Sequence, residues 1–312
     1  MNKKILNILI IITVLGLLSA CGSTDISSML LDEDINIIAP IPKSDDYIDP
    51  PTTLSNKASN IHIVLEDGTN ILMKLPAVAQ KMYEAAQSPM QEEKDVSCAM
   101  DINGFVTDSS ANKRFDFTVA NDGCTNIYID DYDKYIRLPH YVYYSLEYEL
   151  LKSGKSFLPD FKWEPEDGTG AMELRLNHIL TTAAVARYGY SDACFTTYEM
   201  LDYKYESSSA IVYLVTGRAG YTSIEGNFIR QYYYTTTVKL IFTKIDGSWR
   251  LTFYDEAIDP TKDASIRSVT PYEFMDKAKS LINDPIELEQ ELHHQTVNYL
   301  RRLGLSSIPI TD

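Results

Sequence analysis

Between Phe228 and Thr243 the chain alternates with period two. Tyr232, Tyr234, Val238, Leu240 and Phe242 share one face, and Tyr233, Thr235, Thr237, Lys239 and Thr243 share the other. A long strand with one apolar and one mostly polar face belongs to an antiparallel sheet covered on one side only. Phe195 to Tyr205, Ala210 to Thr216 and Ser248 to Glu256 read as three companion strands, and Asp246-Gly247 turns the chain into the last. There Trp249, Leu251 and Phe253 alternate with Arg250, Thr252 and Tyr254, which puts the first three on the core side. Upstream, Leu176, Ile179, Leu180, Ala183 and Ala184 recur at i, i+3, i+4, i+7 and i+8 in a helix expected from Met172 to Arg187, the stripe of a helix lying on a sheet. His178 falls off that stripe and is expected at the surface.

One helix feeding a four-strand meander, with Gly-Ser-Trp-Arg-Leu entering the last strand, resembles the cystatin/NTF2-like fold over residues 173–260. The resemblance covers less than a third of the chain and rests on element order. It implies a curled sheet that can hold a small ligand, with Tyr203, Tyr205, Tyr213, Tyr232, Tyr234 and Trp249 as candidates to line the hollow. The competing role for these rings is structural core, where a buried Tyr supplies area and one hydrogen bond.

Residues 59–153 read as a separate small α+β domain. Ile61, Ile63 and Leu65 alternate with His62, Val64 and Glu66, and Asp67-Gly68 turns the chain into a second strand at Ile71 to Leu75. His62 then lies on the face opposite the isoleucines. Pro76 opens a helix with Ala79, Met82, Tyr83 and Ala86 on one side, strands follow at Val96 to Ile102 and Arg114 to Ala120, and shorter extended pieces at Ile127 to Ile129 and Tyr135 to Leu138. Pro139 opens a helix with Tyr141, Tyr144, Tyr148 and Leu151 along one side. A connector over 154–172 carries Phe157, Leu158, Phe161 and Trp163, which are expected to lie against the body. The whole is α+β, two small domains followed by C-terminal helices over 270–304. Thr270-Pro271-Tyr272-Glu273 reads as a capping box for the first of these, and Asp284-Pro285-Ile286-Glu287 repeats it.

The N-terminus addresses the chain. Lys3 and Lys4 precede an apolar run from Ile5 to Leu18, about 14 residues against the roughly 20 that span a bilayer, so the run reads as a removable export signal. Leu17-Leu18-Ser19-Ala20-Cys21 resembles the lipobox of bacterial lipoproteins. The resemblance implies cleavage after Ala20, a diacylglyceryl thioether on Cys21, and membrane association through the lipid. Loss of Lys3 and Lys4 with the signal takes the formal charge from −16 to −18. Such a surface repels phosphate backbones, which argues against nucleic acid as a partner. Residues 21–58, with Pro40, Pro42, Pro50 and Pro51, read as a flexible tether.

Three cysteines remain beyond Cys21, in a compartment where disulfides persist. Cys98 with Cys124 is the favoured pair, since both fall in the first domain and close a short loop, leaving Cys194 as a small buried residue. Asp130, Asp131 and Asp133 read as a solvated acidic turn, lacking the glycine and distal glutamate of an EF-hand loop. Ser110-Ala111-Asn112-Lys113 matches SxxK by letter, but it sits in a strand loop and no KTG accompanies it. His293 and His294 are adjacent on a helix and cannot grip one ion as an i, i+4 pair does. No metal, cofactor or catalytic residue is assigned. The expected function is a lipid-anchored extracytoplasmic body that binds a protein or a small molecule without turning it over; the alternatives are a sensory ectodomain partnering a membrane protein and a cell-envelope hydrolase.

Overall fold

The computed structural model describes residues 41–50, 57–88, 98–121, 124–159 and 170–311. The signal, Cys21, Phe161 and Trp163 lie outside these residues. The architecture mixes helix and sheet, with two antiparallel sheets and helices between and beside them.

The first sheet has the order β2-β1-β3-β4-β5-β6, from β1 (Asn60–Val64), β2 (Asn70–Met73), β3 (Met100–Thr107), β4 (Lys113–Ala120), β5 (Asn126–Ile129) and β6 (Lys134–Arg137). Helix α1 (Pro76–Gln87) buries Val78, Ala79, Met82 and Ala86 against it. The strand expected from Val96 starts later, at Met100, and continues through Gly104-Phe105-Val106 to pair with both β1 and β4. Cys98 and Cys124 are bonded, with Cα atoms 6.1 Å apart.

The second sheet is the meander β10-β9-β8-β7, from β7 (Ala193–Glu206), β8 (Ser209–Ile224), β9 (Asn227–Ile245) and β10 (Ser248–Glu256), and the short β11 (Ile310–Thr311) pairs in parallel with β9 beyond the end of β10. Strand β8 runs well past Thr216. Gly220 lets it do so, since a Cβ there would sit 2.2 Å from the Tyr232 ring.

Helices α2 (His140–Lys152) and α3 (Gly170–Tyr188) pack between the sheets. The two halves set out above as domains share one hydrophobic cluster: Ile61, Phe115 and Val142 belong with Val185, Tyr188, Cys194 and Tyr232. This explains why α3 is buried on every side from His178 to Val185. The sheet takes the Leu176 stripe, and each such buried aliphatic side chain contributes roughly 1.5–3 kcal/mol. Helix α2 takes the opposite side.

Three expectations need correction. The second sheet is not covered on one face only: α4 (Asp263–Val269), α5 (Met275–Asn283) and α6 (Ile286–Arg302) lie on its other face, where Met275, Ala278 and Leu288 pack with Val215, and Leu292 and Leu300 with Ala219 and Tyr221. Phe253 is 40% exposed because a register shift between Leu251 and Phe253 inverts the parity of β10 and turns Tyr254 and Glu256 inward. The capping boxes do not form. Pro271 and Pro285 occupy the cap positions themselves, a 3-10 turn (Tyr272–Phe274) precedes α5, and no side-chain cap hydrogen bond is made.

The supposed tether is docked over its last described part. Ile41 N donates to the Tyr148 hydroxyl at 3.0 Å, Ser44 N to Arg187 O at 3.0 Å and Ile48 N to Tyr188 O at 2.8 Å, while Tyr190 N donates back to Ile48 O at 2.8 Å. Gly189, at φ +82°, permits this approach: any side chain would place its Cβ 2.1 Å from Ile48 O.

Candidate functional site

The meander does not enclose a hollow lined by the six candidate rings. Leu176, Ile179 and Leu180 of α3 fill the space, together with Val212, Leu240 and Trp249. Tyr205 packs on Trp249 with ring centres 5.6 Å apart, Tyr203 is 44% exposed, and Tyr213 lies on the opposite face with the α5 cluster. Tyr232 stacks on Tyr188 at 4.6 Å, and Tyr234 packs beside the same ring with its hydroxyl donating to Ile258 O.

Past this apolar filling the hollow becomes polar and closed. The parity switch in β10 aims Glu256 at two arginines. Its Oε1 accepts from Arg187 Nη1 at 3.0 Å, and its Oε2 lies 2.7 Å from Arg218 Nη2 and accepts from the Tyr254 hydroxyl at 2.6 Å. Arg218 is fully buried. Burial works against its charge, yet Glu256 beside it holds the guanidinium's pKa above its ordinary value. Among the described residues Arg218 Nε and Nη1 find no hydrogen-bond partner. Two cations thus share one carboxylate out of reach of solvent.

A second buried pair lies between the sheets. His178, expected at the surface, is 3% exposed, because α2 covers the side of α3 that faces away from the meander. Its Nε2 comes within 3.1 Å of Glu147 Oε1. Glu147 accepts from Ser156 Oγ at 2.5 Å and Phe157 N at 2.7 Å. Burial pushes the Glu147 carboxyl up, but His178 and these two donors outweigh it and hold the carboxyl below the ordinary glutamate value. The Glu256 cluster is closed to ligands, whereas His178 also lines a small hollow beside Asn177 and Thr181.

Of the candidate rings Trp249 also borders a separate hollow of about 180 Å³, and a larger open site lies elsewhere. A groove of about 400 Å³ runs where the β5–β6 end of the first sheet, the start of α2, strand β7 and helix α6 converge. It continues past His140, Tyr144, Phe195 and Gln295 into a second hollow of about 200 Å³ beside Asn177 and Thr181. Tyr299 reaches in from α6, its ring centre 5.4 Å from His140 and 5.5 Å from Phe195. His140 Nδ1 is held by the backbone of Cys194, 2.8 Å from its carbonyl oxygen and 3.0 Å from its nitrogen. Burial pushes the imidazole down to about 4, with Arg137 adding to the effect, so the ring is neutral at pH 7.

The Cys194 thiol, at the inner wall, contacts the Tyr232 hydroxyl at 3.2 Å, and burial pushes its pKa up to about 11. A thiol held protonated in this way is a poor nucleophile. Cys124, bonded to Cys98, stands at the rim beside Asn126.

Of the other polar residues, His62 stacks on Phe105 at 4.2 Å, and His294 is exposed on α6, 3.9 Å from Glu291. Asp131 accepts from Asp116 N, and Asp133 from the Tyr128 hydroxyl, so these carboxylates do not converge on a common point. The loop holding Ser110 and Lys113 is organised by Asp108, which accepts from Ser110 N and Asn112 N and pairs with Arg114 at 2.5 Å. Sequence reasoning missed the groove because its residues come from separate elements. The weak signal that pointed there was the aromatic density around residues 140–148.

No protein-family model and no curated protein sequence matches the chain. Among solved structures it is similar to an NTF2-like protein with a cystatin-like fold from Novosphingobium aromaticivorans, at 14% identity and a TM-score of 0.22. The similarity covers 30% of this chain and 60% of that one. Here the reading of the second sheet rests on its own strand order and register, not on that likeness.

Proposed function

We propose that this chain is a lipid-anchored extracytoplasmic binding protein, with Cys21 as the lipidated residue and the groove between α2, β7 and α6 as the place where a small ligand sits. The groove carries the reading. Its combined volume falls in the range that accepts small molecules. Among the described residues its walls hold rings, amides and two arginines, and of the other polar groups His178 is engaged by Glu147 and the Thr181 and Thr196 hydroxyls by each other. His140 has one ring nitrogen held by backbone, and Cys194 is a buried, protonated thiol. This favours binding over turnover. Among the described residues no helix is long and apolar enough to cross a membrane, which is consistent with attachment through a lipid.

The test has two arms. In an expressing host, labelled palmitate is expected to enter the wild-type chain and not Cys21→Ala; an unlabelled wild type removes the anchor from the reading. A small-molecule screen on the full chain is expected to yield ligands whose stabilisation, about 2.7 kcal/mol at a hundred times Kd, disappears in Phe195→Ala. Turnover abolished by His140→Gln would overturn the non-catalytic role.

A further inference from the structure

The groove's charge is at odds with that of the chain. The sequence carries 44 acidic and 28 basic residues, yet among the described residues Arg137 and Arg302 line the main groove and no carboxylate does. Among the described residues the inner hollow likewise has no carboxylate in its lining, although His178 there backs onto Glu147. A random sample of this surface would be acidic. Around the arginines stand the amides of Asn126, Gln295 and Asn298, which donate hydrogen bonds without adding charge. Opposite them His140, Tyr144, Phe195 and Tyr299 form a wall of rings whose centres lie 5.4 to 5.7 Å apart in the contacts His140 makes. Such a wall accepts the edge or face of a flat apolar body.

We propose, building on the binding role above, that the groove takes a small organic anion: a flat apolar or aromatic body bearing one carboxylate or phosphate head, with the body against the Tyr299 and Phe195 rings and the head between Arg137 and Arg302. A guanidinium pairs such heads in a two-point geometry that an ammonium cannot match, and both cations here are arginines. Arg137 is half-buried on β6 with its Nε 3.5 Å from Asn126 Oδ1, and Arg302 is exposed on the last turn of α6. The head is therefore held from two elements, one rigid in the sheet and one at a helix end. A neutral His140 adds no charge to the wall. Selectivity for the anion then comes from the arginines, while affinity for the body comes from the rings.

The deciding measurement is calorimetric titration of the full chain with 2-naphthoate and with its neutral counterpart 2-naphthamide, in wild type, Arg302→Gln and Tyr299→Ala. Naphthoate is expected to bind at least tenfold more tightly than naphthamide. Arg302→Gln is expected to weaken naphthoate three- to tenfold and leave naphthamide unchanged, and Tyr299→Ala to weaken both. Since Arg302 is exposed, its substitution leaves the fold intact, and Arg137→Gln serves as the second variant. Equal affinity for the two probes, or naphthoate binding indifferent to both arginine substitutions, overturns the anion assignment while leaving a binding groove in place. Failure of both probes to bind overturns the groove as a ligand site altogether.

Discussion

Replacing Glu256 with Gln tests the polar cluster in the second sheet most directly. The side chains of Glu256 and its two arginines are between 0% and 6% exposed, so neither cation can turn to water when the carboxylate is neutralised. Both carboxylate oxygens are in use, and the Gln amide would aim a donor at one guanidinium while losing charge against both. Removing one partner from a buried pair costs about 3–5 kcal/mol, and two cations left facing each other put this case at the upper end. Against a total stability of about 5–15 kcal/mol that is a large fraction, equivalent to a fall in Tm of at least about 10 °C. Urea and thermal unfolding of the full chain measure it, with Arg218→Met and the double substitution completing a cycle. The double variant is expected to recover part of the loss, because it removes the uncompensated charge. A Glu256→Gln protein within about 1 kcal/mol of wild type, or a double variant no better than the sum of the singles, refutes the account.

Two further outcomes follow from other parts of the structure. His140 titrates at about 4 in the fold against about 6.5 when unfolded, so between those values the unfolded chain binds more protons and stability falls as pH drops. The wild type is expected to be up to about 2 kcal/mol less stable at pH 5 than at pH 7, a difference that His140→Gln should flatten; Glu147, with its lowered pKa, loses its contribution progressively as pH falls from the ordinary glutamate value towards its lowered one. Reducing the Cys98–Cys124 bond, whose residues are 26 apart in sequence, is expected to cost about 3.5 kcal/mol in chain entropy, read as a shift in urea midpoint with and without reductant; no shift would mean that the loop is already restrained in the unfolded chain.

The elements legible in the sequence were those with strong local periodicity. The alternation in β9, the Leu176 stripe of α3 and the Asp67-Gly68 and Asp246-Gly247 turns place most of the meander and the first hairpin within a few residues. What escaped was set by tertiary context. The strand expected to end at Thr216 runs on through residues 217–224, where a ring and an ion cluster need that backbone. His178 lies off its helix's stripe and is nonetheless buried, since a helix between two layers has no free face. Phe253 follows the alternation rule until a single irregularity in β10 inverts it, and that inversion is what delivers Glu256 to its arginines. The groove had no local signature, because Asn126, His140, Phe195 and Tyr299 meet only after both sheets are assembled.

The strap at residues 41–50 has a mechanical consequence. Among the described residues, a pull from the N-terminal side meets the body first at Ile41, then at the bonds that join Ser44 and Ile48 to the end of α3. These bonds yield before β1 bears any load. The stretch from Ile41 to Lys57, whose backbone Gln80 holds, is worth roughly 55 Å at about 3.4 Å per residue when fully extended. The strap would act as a shock absorber, giving up length under tension while the two sheets and the groove between them keep their shape.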